Sequence, residues 1–498
     1  MAREKKKWTV MVYFAADNDL DEYAPQNLEQ MKKVGSSAEV NLIAELDRRG
    51  DKPPKRYYLR PEREGALCHD EVKPALSERN TGDPQHLIEF IEWAAKDFPA
   101  DHYMLVLWGH GKGWDDDVDC IVKSLGQSSF APLGSFADFN PPDFLTNPEL
   151  RHALATGSKR LGQKIDILGL DACLMNMVEV SHQLQESVSI LVGSEEVSPK
   201  EGWPYDSILS KLIESPEMPP ERLAAIAVEE YAAHYRKVKE EEKDKKAEDK
   251  KLSKDVMLSA CDLSKSDDLA EAVWKLAVAL RAGLADGDAK ATIMLARRRA
   301  RSYFVNEYVD LCNFCEHLFA ASDDRLLKQA CEEVIDVIRN RRFVFASAST
   351  EEEPPDGRPR PSNGVSIYLP AIPPCYNDID FVEQTRWGEF LDLFLNAALF
   401  TRWHIPGKEK EQIMSDYKYP SSIYRTLDIL LDAASAANRP HRRFSAGGEE
   451  AEYRYPSSIY RLFEDLLLQA ERSSRQSPSR PDADDEIVLE VRIKVRRD

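Results

Sequence analysis

Two stretches decide how this chain folds: residues 105–114, LVLWGHGKGW, and residues 165–173, IDILGLDAC. Each begins as an uninterrupted apolar run, the pattern of a strand buried on both faces of a parallel sheet. Each ends on a residue that can react, His110 in the first and Cys173 in the second. Ligands of open α/β sheets collect beyond the carboxyl ends of the strands. A thiol and an imidazole brought to neighbouring strand ends make a nucleophile and its proton partner.

Outward from these stretches, further apolar runs occupy 8–15, 40–46 and 190–193, and helical patterns occupy 20–34, 86–96, 147–155 and 175–184. Asp17, Asn18 and Asp19 read as caps of the first of these helices rather than as metal ligands. The alternation predicts an α/β fold, a mostly parallel sheet with helices on both faces. Residues 256–261 and 364–370 (GVSIYLP) read as two more strands, and 267–282, 289–319, 324–339 and 387–400 as helices. From 219 a helical pattern runs into the nearly all-charged RKVKEEEKDKKAEDKKLSKD, which reads as a solvated extension. Residues 1–215 are read as the core, 216–403 as the remainder of the same domain, and 404–498 as an appendage. In that appendage YKYPSSIYRTLDILLDAA (417–434) returns as YRYPSSIYRLFEDLLLQA (453–470), and residues 487–495 alternate as a half-buried strand. Two copies are too few for a solenoid, so the repeats read as docking or regulatory elements.

The totals narrow the function. A chain of 498 residues exceeds a single core. A net charge of −20 argues against a nucleic-acid groove, which needs a basic footprint. Eight cysteines are too sparse for a disulfide framework, so a reduced, cytoplasmic setting is expected. The basic start resembles the head of a signal peptide, but the following run is β-branched and aromatic without a small-residue cleavage site, so it reads as a buried first strand. No stretch has the apolar length of a membrane span. CNFCEH (312–317) has no second ligand pair and reads as core rather than as zinc ligands.

Cys173, at a strand end with a helix expected from about Leu174, is placed to have its pKa lowered by that helix N-terminus. Glycines 109, 111 and 113 around His110 permit close backbone approach. The N–H groups of Gly111 and Cys173 are candidates for an oxyanion hole.

WTVMVYFAADNDL, HYMLVLWGHGKGW, IDILGLDACLMNMVEV, SEEVSPKEGWPYD and GVSIYLP, in this order, resemble the clostripain family of cysteine peptidases, which share the caspase and gingipain fold. The resemblance spans about residues 8–400 and leaves out the tail after Trp403. It implies a catalytic dyad of His110 and Cys173 and a preference for Arg or Lys before the cut bond. Such a preference needs a sheltered carboxylate. Asp171 is the first candidate, with a helix N-cap as its alternative, and Asp206 the second, with a surface turn as its alternative. Ser194, Glu195 and Trp203 are candidate pocket walls. Family members often cut themselves between His and Cys, which makes Lys123 the candidate processing site, and some need calcium, for which Asp115, Asp116, Asp117 and Asp119 are candidate ligands lacking the EF-hand glycine and glutamate. No cofactor is required for the chemistry.

The leading expectation is therefore a cysteine endopeptidase acting on protein or peptide substrates with Arg or Lys. Its repeats would recruit a partner or restrain activity by presenting Arg425 and Arg461 as pseudo-substrates, in a signalling or defence pathway. The rival is a catalytically silent caspase-fold scaffold, and a third option is acyl transfer to an amine through the same residues.

Overall fold

A computed structural model describes residues 4–50, 54–60, 69–74, 80–114, 135–139, 142–242, 255–284, 287–351, 362–370 and 379–400. In chain order these form β1 (Lys6–Ala16), α1 (Ala24–Val34), β2 (Val40–Arg48), β3 (Lys55–Leu59), β4 (His69–Pro74), α2 (Pro84–Asp97) and β5 (Ala100–Trp108). Two short strands, β6 (Asp138–Phe139) and β7 (Pro142–Asp143), precede α3 (Asn147–Leu161), β8 (Ile165–Asp171), α4 (Val178–Leu184) and β9 (Val188–Gly193). Then come α5 (Tyr205–Glu214), α6 (Pro220–Glu241), β10 (Met257–Asp262), α7 (Ser266–Gly283), α8 (Gly287–Arg299), β11 (Tyr308–Asp310), α9 (Leu311–Ala321) and α10 (Arg325–Ile335). The described part closes with β12 (Val344–Ser349), β13 (Ser366–Tyr368), α11 (Asp380–Thr385) and α12 (Trp387–Phe400).

Nine strands make one sheet in the order β12-β10-β9-β8-β5-β1-β2-β3-β4. Its centre, β9 through β2, is parallel, and antiparallel pairs finish both sides. The apolar runs at 8–15, 40–46, 103–108, 165–170 and 190–193 are those five parallel strands. Successive residues of β1 go to opposite faces, as strand geometry requires. Met11, Tyr13 and Ala15 join one core cluster with α2, α3, α4 and α7. Trp8, Val10, Val12, Phe14 and Ala16 join another with α1, α5 and α6. The result is a helix–sheet–helix sandwich that crosses the 215 boundary, since β10 and β12 extend the same sheet.

Local sequence accounts for several boundaries. Thr146 and Glu149 form a reciprocal capping box at the start of α3, and Gly162 ends it in the left-handed region at φ 77°. Asp83 caps α2 by accepting from the Gln85 N–H. The helix expected over 289–319 is two helices, because β11 intervenes and pairs with β13. Chain contacts separate a second unit, residues 122–127 and 397–498. Both tail repeats, the terminal strand and Lys123 lie outside the described residues, as do Asp115, Asp116, Asp117 and Asp119. Among the described residues no helix is long and apolar enough to cross a membrane.

Candidate active site

β5 and β8 lie side by side in parallel, with Trp108 opposite Asp171. The pairing continues one step further, where the Gly109 N–H donates to the Asp171 carbonyl at 3.3 Å. His110 and Cys173 follow at the same edge of the sheet. Gly111 is pressed against the nucleophile's backbone: a Cβ there would lie 2.2 Å from the Cys173 carbonyl oxygen and 2.9 Å from its nitrogen. Only glycine fits that approach. Neither the Gly111 nor the Cys173 N–H donates to an acceptor among the described residues.

The loop after β5 is held from several sides. The Phe136 N–H donates to the His110 carbonyl (2.8 Å), and the Tyr308 hydroxyl to the Lys112 carbonyl (2.7 Å). Asn147 donates through Nδ2 to the carbonyls of Gly113 and Trp114. Gly113 adopts φ 77°, and a Cβ there would meet Met177 Sδ at 2.6 Å.

The helix expected from Leu174 begins only at Val178. Leu174 takes φ 65°, a sparsely populated conformation for a branched residue, and Asn176 is committed elsewhere. Its side-chain Nδ2 donates to the Gly364 carbonyl (2.7 Å), and its own carbonyl accepts from the Ser366 N–H (3.1 Å). The thiol therefore has no helix N-terminus beneath it. Burial pushes its pKa up to about 11, the nearby carboxylates of Asp171 and Glu196 add to this, and the Ser198 N–H, 3.3 Å from Sγ, opposes it. This reverses the direction expected from sequence.

His110 is held by Asp19, whose Oδ1 lies 2.6 Å from Nε2. That bond holds the Asp19 carboxyl below the usual carboxylate range. The run 17–19 is thus not the cap of α1. Instead Asn18 is buried and pins the turn after β1: its Nδ2 donates to the carbonyls of Ala15 and Ala137, and its Oδ1 accepts from the Leu20 N–H. The position of β1 beside β5 is the signal that brings Asp19 to the histidine.

Asp171 is 4% exposed and is not a helix cap. Its Oδ2 accepts from the Trp203 N–H and the Tyr205 hydroxyl, both at 2.9 Å, while Oδ1 accepts from no described residue. Burial raises its pKa to about 7 against those two bonds. Trp203 lies on the sheet under Gly169, where a Cβ would come within 2.8 Å of the indole, and contributes its backbone N–H to Asp171. Ser194 is buried and closes a turn, donating to the Glu196 carbonyl and accepting from the Glu196 N–H. Glu195 turns away from the thiol and accepts from Ser259 at 3.0 Å, and burial pushes its pKa to about 7. These two are therefore supports behind the site rather than walls. The turn they make aims the next residue, Glu196, at the nucleophile's loop, and its Oε1 accepts from the N–H groups of Val197 and the exposed Phe304. Asp206 sits in the first turn of α5, accepts from the Ser207 N–H, and shares no hydrogen bond with Asp171, Cys173 or His110. Cys312 and Cys315 are buried core residues, and among the described residues no group of three or more His, Cys, Asp or Glu side chains could hold a metal ion.

Comparison with known proteins bears on this geometry. The chain is 27% identical over 246 residues to clostripain of Hathewaya histolytica, a match covering 42% of this chain and 43% of that protein, so it spans less than half the length of that curated relative. In fold it resembles a secreted C11 cysteine protease from Bacteroides thetaiotaomicron bound to an irreversible peptide inhibitor, at TM-score 0.55, 20% identity, and coverage of 78% of this chain and 99% of that one. It likewise resembles an inactive zymogen C11 protease from Parabacteroides distasonis, at TM-score 0.54, 20% identity and coverage of 77% and 99%. The family model that matches residues 12–394 is that of the clostripain family, and this chain belongs to it.

Proposed function

We propose that the protein is a cysteine endopeptidase that cuts after Arg or Lys through Cys173 and His110. The observation that carries the reading is the registered pairing of β5 with β8, which sets Gly111 against the Cys173 backbone, with neither N–H donating to an acceptor among the described residues. With its pKa raised, the resting thiol keeps its proton. His110 takes that proton as Sγ attacks the scissile carbonyl, and gives it to the leaving amine. The N–H groups of Gly111 and Cys173 stabilise the oxyanion, and water then hydrolyses the thioester.

Asp171 supports the basic specificity. A sheltered carboxylate with one oxygen that accepts from no described residue is costly to ionise alone and gains most when a guanidinium or ammonium reaches it. Tail restraint through Arg425 and Arg461, self-cutting at Lys123, cytoplasmic residence and a role in signalling or defence belong to the same proposal, and the chemistry itself needs no calcium. The five described cysteines are all free, in keeping with a reducing setting.

The test is hydrolysis of arginyl, lysyl and aspartyl reporter peptides by the full chain and by Cys173→Ala, with calcium and with a chelator. Turnover of the basic reporters that depends on Cys173 is expected. No such turnover under either condition refutes the proposal in favour of a silent scaffold. Unchanged kinetics after truncation at Trp403 refutes tail restraint alone.

A further inference from the structure

We infer that Asp19 is a positioning residue for His110, holding the imidazole so that Nδ1 is the nitrogen that exchanges protons with the thiol and the leaving amine. This rests on the peptidase reading above. Asp19 Oδ1 lies 2.6 Å from Nε2. A carboxylate oxygen only accepts, so Nε2 carries the hydrogen and a neutral ring presents an unprotonated Nδ1. The turn that offers Asp19 is pinned: Asn18 bonds through its side chain to Ala15 and Leu20 within it and to Ala137 outside it, and the Phe139 N–H donates to the Asp17 carbonyl at 2.8 Å. Asp19 is therefore delivered to the ring by a pinned backbone.

In acylation the Sγ–H proton passes to Nδ1 as the Sγ–C bond forms and the carbonyl π pair moves onto oxygen. The Nδ1 proton then passes to the amide nitrogen as the C–N bond breaks. In deacylation a water O–H proton passes to Nδ1 as the C–O bond forms and the π pair moves onto oxygen, and the Nδ1 proton then passes to Sγ as the C–S bond breaks and the carboxylic acid is released. Asp19 takes no proton; it faces the imidazolium that exists between the two transfers, where an opposite charge is worth most. Three other charges bear on the ring's surroundings. Lys200, from the loop after β9, acts on Asp19, and Asp171 and Glu196 act on the thiol.

The test uses the full chain with Asp19→Asn and Asp19→Ala, and with Asp21→Asn for comparison, since Asp21 sits two residues on and pairs with Arg48. An arginyl reporter gives kcat and KM across pH 5 to 9. In parallel, the tautomer of the neutral His110 ring is read by ¹⁵N NMR in a Cys173→Ala background, with and without Asp19→Asn. Because the pair is partly exposed, Asp19→Asn is expected to lower kcat about 10- to 100-fold, below the loss seen for a fully buried triad carboxylate. KM is expected to stay within about twofold, because Asp19 touches the ring and not the substrate. Asp21→Asn is expected to leave all of these as in wild type.

Unchanged kcat overturns the inference, as does a raised KM with kcat intact, which would make Asp19 a substrate contact. If wild type shows no Cys173-dependent turnover, the peptidase reading fails by itself. The ring tautomer then decides the Asp19 contact: an Nε2–H tautomer whose population falls in Asp19→Asn sustains it, and a tautomer population unmoved by the substitution overturns it. Should Asp19→Ala fold poorly by thermal melting, the isosteric Asp19→Asn carries the result.

Discussion

Alkylation of Cys173 tests the raised thiol pKa directly. With a pKa of about 11, the thiolate fraction at pH 7.5 is about 3 × 10⁻⁴, against roughly one in ten for an unperturbed cysteine of pKa about 8.5. That is about 300-fold less thiolate. A more basic thiolate is also a better nucleophile, and a Brønsted slope of about 0.45 over some 2.5 units returns about tenfold. The net expectation is that iodoacetamide alkylates Cys173 about 20- to 30-fold more slowly than a cysteine peptide at pH 7.5. The rate should climb close to tenfold per pH unit up to about pH 10. The assay is timed alkylation of the full chain with quantification of the Cys173 peptide by mass spectrometry, which separates it from the buried Cys261, Cys312, Cys315 and Cys331. A plateau between pH 6 and 8 would refute the reasoning, because it would mean that the thiolate already exists as an ion pair with His110.

Asp171 yields two further tests. Its folded pKa of about 7 lies above the unfolded value, so between about pH 4 and 7 the folded state binds the extra proton, and stability falls with rising pH and is flat above. Asp171→Asn is expected to remove about 2 to 3 kcal/mol of the loss between pH 5 and 8, read as a higher Tm than wild type at pH 8; equal pH dependence of the two melts would contradict the assignment. For catalysis, KM toward an arginyl reporter is expected to rise about tenfold from pH 8 to pH 6 as the pocket carboxylate protonates, and a KM flat over that range would remove Asp171 from the pocket. Finally, the Cβ of Gly111→Ala would overlap the Cys173 carbonyl, so the loop must shift out of register with the nucleophile. A loss of about 100-fold or more in kcat is expected with the overall fold retained by circular dichroism, and retention of most activity would refute the close approach.

The parallel centre of the sheet was legible because its strands are buried on both faces and read as unbroken apolar runs. β3 and β12 escaped notice for the opposite reason: KRYYL is short and charged, and VFASAS is an edge strand of small, half-buried residues. The edge of the sheet bearing His110 and Cys173 was also legible, since it follows from topology alone. What lay beyond the strand ends was not. The φ of Leu174 and the commitment of Asn176 to residues 364–366 set the start of α4, and with it the direction of the thiol's pKa, through contacts some 190 residues away in sequence. The two-residue turn at Ser194 likewise decides that Glu196, rather than Glu195, approaches the nucleophile's loop. Asp19 was hidden by the ordinary use of an Asp-Asn-Asp run at a helix start.

The registered backbone ladder between β5 and β8 has a mechanical consequence. The reactive pair is joined by hydrogen bonds across neighbouring strands, so the peptide link between its members is redundant for keeping them together. A break of the chain between residues 114 and 135 would leave β5, which carries His110, still paired with β8, which carries Cys173.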